Sequence, residues 1–130
     1  IYIPAQILGC LLGVMLANVF FEHDILELST KNRDGFHIFL SEIIATFGLI
    51  FIIFATQKDG KITIAASVAT YIMAGYWFTS STSFANPAVA IARTFTDSFT
   101  GINYLNTPTY ILAEFLGALI AVYFIKKLIK

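Results

Sequence analysis

Long runs of uncharged, apolar residues limit what this chain can fold into more than any other feature of its sequence. Residues 1–21 carry no charge, and about 20 apolar residues are enough to span a bilayer as an α-helix. Further apolar runs cover residues 36–57, 62–78 and 110–125, and within the first of these only His37 and Glu42 break the pattern. The sequence therefore predicts an all-α transmembrane protein with four spanning helices.

Composition excludes several other classes of protein. Hydrophobic residues make up 58% of the chain and charged residues 12%, against about 25% charged residues in ordinary soluble domains. A soluble domain of this size could not bury so much apolar surface, so the expected partner is the lipid bilayer. The net charge is zero, which does not fit a nucleic-acid binder. With no nucleophile–base pair, phosphate loop or metal-ligand cluster in the sequence, we expect neither an enzyme nor a cofactor or metal site.

Basic residues near the ends of the predicted spans favour one orientation. The turn between the second and third spans lies on the same side as the C-terminal tail. These two segments carry Lys58, Lys61, Lys126, Lys127 and Lys130. The opposite side carries Lys31, Arg33 and Arg93. Because cytoplasmic loops are enriched in Lys and Arg, we expect a cytoplasmic C-terminus in a multi-pass protein of the cell membrane.

A short helix is predicted between the third and fourth spans. Asn is a strong N-cap and Pro suits the first helical position, so Asn86-Pro87 begins a helix that we extend to Ser98. About 12 residues give roughly 18 Å at 1.5 Å per residue, too short to cross a bilayer. Two interpretations follow from these residues alone. The segment is either a re-entrant half-helix lining a pore, which suits passage of neutral molecules, or a capped helix at the membrane interface.

The two ends of the chain resemble each other. Residues 2–9 and 110–117 share Tyr, Ile, Ala, Leu and Gly in register. The match is either a chance similarity in an apolar chain or the trace of an internal duplication, which is common in membrane transport folds.

The triplet Asn86-Pro87-Ala88, preceded by the hydroxyl-rich residues 79–83, resembles the pore motif of the aquaporin, or major intrinsic protein, family. The resemblance extends over the chain through Tyr2-Ile3-x-Ala5-Gln6-x-x-Gly9 and Ser41-Glu42. Residues 1–21, 36–57, 62–78 and 110–125 are similar to the family's third to sixth spans, and residues 86–98 to its second half-helix. The implied fold is a partial aquaporin-like bundle of four spanning helices plus one re-entrant half-helix.

Family members carry two such motifs within six spans. The resemblance thus implies that two spans and the first half-helix, needed for a complete pore, are missing, and that the channel is a homotetramer. We expect a truncated gene or protein rather than a natural half-channel. The implied function is passive diffusion of water and small neutral solutes. The alternative from another class is a non-conducting remnant that acts as a membrane interaction protein.

Three positions bear on the solute. Most family members carry Arg directly after the second motif, where this chain has Val89, and the other visible constriction positions correspond to Ala74 and Ser83. The resemblance then implies a wide, uncharged opening that suits glycerol, urea or undissociated metalloid acids. Residues 78–102 resemble a bacterial subgroup linked to arsenic resistance.

Three charged residues are expected to support the pore loop. By resemblance, Glu42 hydrogen-bonds the non-helical backbone that leads to Asn86; the alternative is a Glu near the membrane face. Arg93 and Asp97 are four residues apart, and we expect an ion pair that clamps the outer end of the half-helix. The alternative for Arg93 is that it replaces the missing pore Arg.

Small residues at four-residue spacing predict close helix packing. They are Gly9, Gly13 and Ala17 in the first span and Gly117 and Ala121 in the last.

Overall fold

Helices account for the regular structure of this protein, which is a computed structural model that describes residues 1–128. Lys130, counted above with the basic tail, lies outside the described residues. The helices are α1 (Tyr2–Phe20), α2 (Phe36–Thr56), α3 (Lys61–Phe78), α4 (Pro87–Ala92) and α5 (Thr107–Leu128), and a 3-10 turn (Arg93–Phe95) follows α4. No strand occurs within residues 1–128, so the prediction of an all-α protein is confirmed.

Among residues 1–128, three helices are long and apolar enough to cross a membrane: α1, α2 and α5. Helix α3 has 18 residues but is less apolar, because Lys61, Thr63, Ser67 and Thr70 interrupt it. Helix α3 is therefore not among the three helices that are long and apolar enough to cross a membrane. Membrane-spanning helices are therefore confirmed as the basis of the fold, and a crossing by α3 remains a prediction.

The chain divides into two compact units. The first unit comprises residues 1–34 and 86–111, and in it α1 packs against α4 and the 3-10 turn. The second unit comprises residues 35–85 and, within the described chain, residues 112–128, and in it α2 packs against α3.

In the first unit, a buried amide joins the end of α1 to the end of the 3-10 turn. The side chain of Asn18 is only 2% exposed. Its Nδ2 donates to the backbone oxygens of Phe95 at 2.9 Å and Ile25 at 3.3 Å. Because lipid offers no hydrogen-bond partners, such internal contacts satisfy backbone oxygens that water would otherwise satisfy.

The charged segment of residues 22–35 is held along residues 94–106 by further hydrogen bonds. The amide of Ser29 donates to the Thr94 oxygen at 2.9 Å, and the amide of Arg33 donates to Asn106 Oδ1 at 2.9 Å. The Arg33 guanidinium donates to the Phe99 oxygen at 2.6 Å. The segment is thus ordered without regular secondary structure of its own.

The expected ion pair between Arg93 and Asp97 is wrong. Both residues lie in the described chain, but the helix ends at Phe95, three residues before the predicted end at Ser98, so Asp97 is not one helical turn from Arg93. The Asp97 carboxylate instead accepts from the Thr30 amide at 2.8 Å and from the hydroxyls of Thr30 and Ser29.

In the second unit, Gly117 allows α5 to approach α2 closely. A Cβ atom added to Gly117 would lie 2.5 Å from the Ile43 carbonyl oxygen and 3.0 Å from Thr46 Cβ. The prediction of close packing is wrong for Gly9 and Gly13 within the described chain, because an added Cβ at either position meets nothing within 4 Å.

We predict that Gly117→Ala separates α5 from α2 and lowers the free energy of unfolding by about 1–3 kcal/mol, as overpacking commonly does. Gly9→Ala is the matched control, since its methyl group enters open space. Unfolding midpoints in detergent measure both variants. An equal change in the two midpoints would show that contact with Ile43 does not restrict the size of the side chain at position 117.

We further predict that Asp97→Ala releases residues 29–30. The Thr30 amide, followed by the hydroxyls of Thr30 and Ser29, lowers the pKa of Asp97 below its ordinary value. A lowered carboxyl pKa means that the ionised group stabilises the fold above the ordinary pKa, and that this stabilisation is lost as pH falls through the lowered value. Protection of the Thr30 amide from hydrogen exchange, corrected for intrinsic pH dependence, should be full above the ordinary pKa of Asp97. It should be lost as pH falls through the lowered pKa.

At neutral pH the Asp97→Ala variant should lack this protection. Asp24→Ala serves as the control, because Asp24 belongs to the same segment and is exposed. Equal protection of Thr30 in wild type and Asp97→Ala would contradict the role of the carboxylate.

Candidate functional site

The loop of residues 79–85, which precedes Asn86 in the chain, has an unusual backbone. Thr82, Ser83 and Ala85 have φ values of 68°, 53° and 49°. This left-handed region costs an L-residue roughly 1–2 kcal/mol and is rarer still for a β-branched residue such as Thr82. The Thr79 amide still donates to the Gly75 oxygen of α3, and residues 80–85 belong to no helix or strand. Other groups must therefore hold it in this conformation.

Glu42 of α2 provides the main contacts. Its side chain is fully buried. Oε1 accepts from Ser81 Oγ at 2.7 Å and from the Phe84 amide at 2.9 Å, and Oε2 accepts from the Ala85 amide at 2.9 Å. The carboxylate therefore fixes the left-handed part of the loop to α2.

Hydroxyl groups add a second attachment to the same face of α2. The Oγ atoms of Ser41 and Ser80 lie 2.9 Å apart, and Ser80 Oγ donates to the His37 oxygen at 3.3 Å. Residues 37, 41 and 42 of α2 thus hold the loop together. Sequence reasoning named Glu42 but missed Ser80 and Ser81, whose only signal was the run of hydroxyl residues from 79 to 83.

Ser83 is buried against α3. A Cβ atom added to Gly75 would lie 2.5 Å from Ser83 Oγ, so only glycine leaves room for this side chain. Ser83 Oγ has no hydrogen-bond partner within the described residues. Gly75 was missed at the level of sequence because its role depends on a residue eight positions along the chain in a non-helical loop.

Asn86 begins α4 as the sequence predicts. Its φ of −159° is extended, its Oδ1 accepts from the Ala88 amide at 2.9 Å, and Pro87 occupies the first helical position. Helix α4 has six residues, and the 3-10 turn adds three. The helical segment is therefore shorter than the predicted 86–98, with Ala88 buried and Val89 half-buried.

Two of the three predicted constriction residues, Val89 and Ala74, line cavities, and these cavities are different; Ser83 is buried. In the first unit, Val89 borders a cavity of about 200 Å³. The other residues that line it are Cys10, Gly13, Val14, Ala17, Ala92 and Arg93. In the second unit, Ala74 borders an open cavity of about 450 Å³. The other residues that line it are Ile52, Ala66, Ser67, Thr70 and Tyr71.

The cavity beside Ala74 has a mostly apolar wall with a few hydroxyl groups. Ala66, Thr70 and Ala74 follow each other at four-residue spacing and share one face of α3. Such a wall presents few hydrogen-bond partners and no charge. No cluster of His, Cys, Asp and Glu within residues 1–128 is suited to hold a metal ion.

Comparison with known proteins identifies the family. No protein-family model and no solved structure gives a significant match to the chain. The chain is 45% identical over 120 residues to the aquaglyceroporin AqpS of Rhizobium meliloti (strain 1021). The match covers 92% of this chain and 52% of that protein, so the chain spans about half the length of its relative. This identity shows that the chain is a partial member of the aquaporin, or major intrinsic protein, family.

Proposed function

We propose that the chain forms part of a membrane channel for passive diffusion of water and small neutral solutes. The observation that carries this proposal is the 45% identity with an aquaglyceroporin. The helix start at Asn86-Pro87-Ala88 adds support from the structure. In this proposal a complete pore also needs two further spans and a first half-helix, and the channel is a homotetramer in a bacterial cell membrane with a cytoplasmic C-terminus.

In the proposed channel, Glu42 is a positioning residue. Unpaired backbone amides are costly at membrane depth, and Glu42 satisfies those of Phe84 and Ala85. Asn86 follows Ala85 directly in the chain, so a bond that fixes the Ala85 amide restricts the backbone that leads into the Asn-Pro-Ala triplet. Glu42 therefore acts on conduction through the loop and not by touching the solute.

Val89 and Ala74 set the solute class in this proposal. Valine carries no charge and donates no side-chain hydrogen bond, whereas an arginine in its place would narrow the opening and bind passing hydroxyls. The apolar face of α3 around Ala74 leaves an open cavity, and the hydroxyl of Thr70 adds one polar partner. This combination suits glycerol, urea or undissociated metalloid acids.

We predict that Val89→Arg removes most of the glycerol flux while a measurable water flux remains, because a large cation narrows the opening and still allows a small molecule to pass. Osmotic swelling of vesicles that contain the protein measures both fluxes. Val89→Ala is the control, since it keeps the position small and uncharged.

Two results would contradict this part of the proposal. Unchanged glycerol flux in Val89→Arg would show that Val89 does not line the opening. The absence of flux from every form would contradict the channel itself and support a non-conducting membrane interaction protein.

We predict that Glu42→Gln reduces the flux of water and glycerol together. A Gln amide group would face the amide of Phe84 or Ala85, donor against donor, and a buried donor that is left unsatisfied costs about 1–3 kcal/mol. Flux and the unfolding midpoint should both fall. Glu22→Gln, at an exposed position, should change neither.

Selective loss of glycerol flux in Glu42→Gln, with water flux intact, would mean that Glu42 contacts the solute. That outcome would overturn its role as a positioning residue.

A further inference from the structure

The first unit contains a larger cavity, of about 480 Å³, at the C-terminal end of α1. Residues 98–100 and Arg93, at the start of the 3-10 turn, form its other walls. The polar side chains that line it are Asn18, His23, Arg93, Ser98 and Thr100. None of the Asp or Glu residues in the described chain lines it. Its polar side chains thus include one permanent cation, Arg93, and the two hydroxyl groups of Ser98 and Thr100.

Arg93 is the strongest donor in this cavity. Arg93 is half-buried as a residue, and no hydrogen bond, ion pair or ring contact to another described residue engages its guanidinium. An arginine side chain carries five N–H donors and a permanent charge. Leaving such a group partly out of water without an acceptor is unfavourable. The cavity thus has a charged donor that the surrounding protein does not satisfy.

The nearby carboxylates are already engaged elsewhere. Asp97 accepts from Thr30 and Ser29, and Glu27 Oε2 lies 2.8 Å from His23 Nδ1. Both acids thus have partners other than Arg93, and neither forms an ion pair with the Arg93 guanidinium.

We propose that this cavity is a binding site for a phosphate group, with the Arg93 guanidinium as its main ligand and the hydroxyls of Ser98 and Thr100 as further donors. The planar guanidinium matches the spacing of phosphate oxygens and binds them in pairs. Arg33 and Lys31 belong to the same unit and add to the positive field that attracts an anion. Inorganic phosphate and a lipid headgroup share this chemistry.

The sequence offers a direct test because it contains two arginines, Arg33 and Arg93. The full chain, labelled with 15N-arginine in phosphate-free maltoside micelles, should give two side-chain Nε signals. Titration with inorganic phosphate, at ionic strength kept constant with chloride, should shift the Arg93 signal saturably. The Arg33 signal is the internal control, since Arg33 already donates to the Phe99 oxygen, and it should stay in place.

A second arm distinguishes the two sources of phosphate. The same protein in phosphatidylcholine nanodiscs, without free phosphate, is examined for magnetisation transfer between lipid 31P and Arg93. Transfer in nanodiscs supports a headgroup site, and a saturable shift in micelles alone supports a site for the free anion. An Arg93 signal that responds in neither arm, or only in parallel with Arg33, would overturn the proposal.

Variants test the donor set by equilibrium dialysis with radiolabelled phosphate. Arg93→Gln should weaken retention about tenfold or more, since it removes a charge-assisted pair of hydrogen bonds. Arg93→Lys keeps the charge but loses the planar pair of N–H donors, so it should weaken phosphate retention less. Retention that is unchanged in Arg93→Gln would also overturn the proposal. These measurements require no conduction, so their failure leaves the proposed channel function standing.

Discussion

A carboxylate inside an apolar helix holds the second unit in the form described here. Glu42 accepts three hydrogen bonds from residues 81–85, and these bonds compensate for a loop backbone that is unfavourable by itself. The loop lies in the left-handed region at three non-glycine residues, so no local preference would produce it. In water, solvent could satisfy the amides of Phe84 and Ala85. In a bilayer it cannot, and these two amides then depend on the Glu42 carboxylate.

Polar contacts within each unit do much of the work that an apolar core does in a soluble domain. The buried residues are largely small or polar, such as Asn18, Glu42, Ala45 and Ala113, whereas many large apolar side chains are exposed. This distribution follows from the solvent, because lipid tails are as apolar as leucine and do not drive helices together. Close approach at Gly117 and hydrogen bonds at Asn18 and Asp97 provide the attraction instead.

The parts of the fold that depend on local chemistry could be predicted from the sequence, and those that depend on distant contacts could not. Hydropathy predicted the positions of the long helices, and the capping preferences of Asn and Pro predicted the start of α4 at Asn86. The end of that helical segment was misjudged, because Asp97 is held by Thr30, 67 residues away along the chain. Spacing alone made Arg93 and Asp97 look like a pair.

The candidate site was predictable to a similar degree. Asn86, Pro87 and Glu42 were recognisable from a family pattern, while Gly75 and Ser81 matter only because the loop returns to α3 and α2. Small residues were an ambiguous signal, since Gly117 is tightly packed and Gly9 is not. Small residues at four-residue spacing permit two helices to approach closely, but the tertiary structure determines whether a second helix lies there.

The left-handed run in loop 79–85 also has a consequence for biosynthesis. Helix α2 precedes this loop in the chain, so the ribosome delivers Glu42 to the membrane before it delivers Thr82, Ser83 and Ala85. The acceptor is thus already in place when the strained segment emerges, and the loop has a partner from its first moment in the bilayer. If the order of these two segments were reversed by circular permutation, the loop would enter the membrane with its amides unsatisfied and would be exposed to quality-control proteases until α2 arrived.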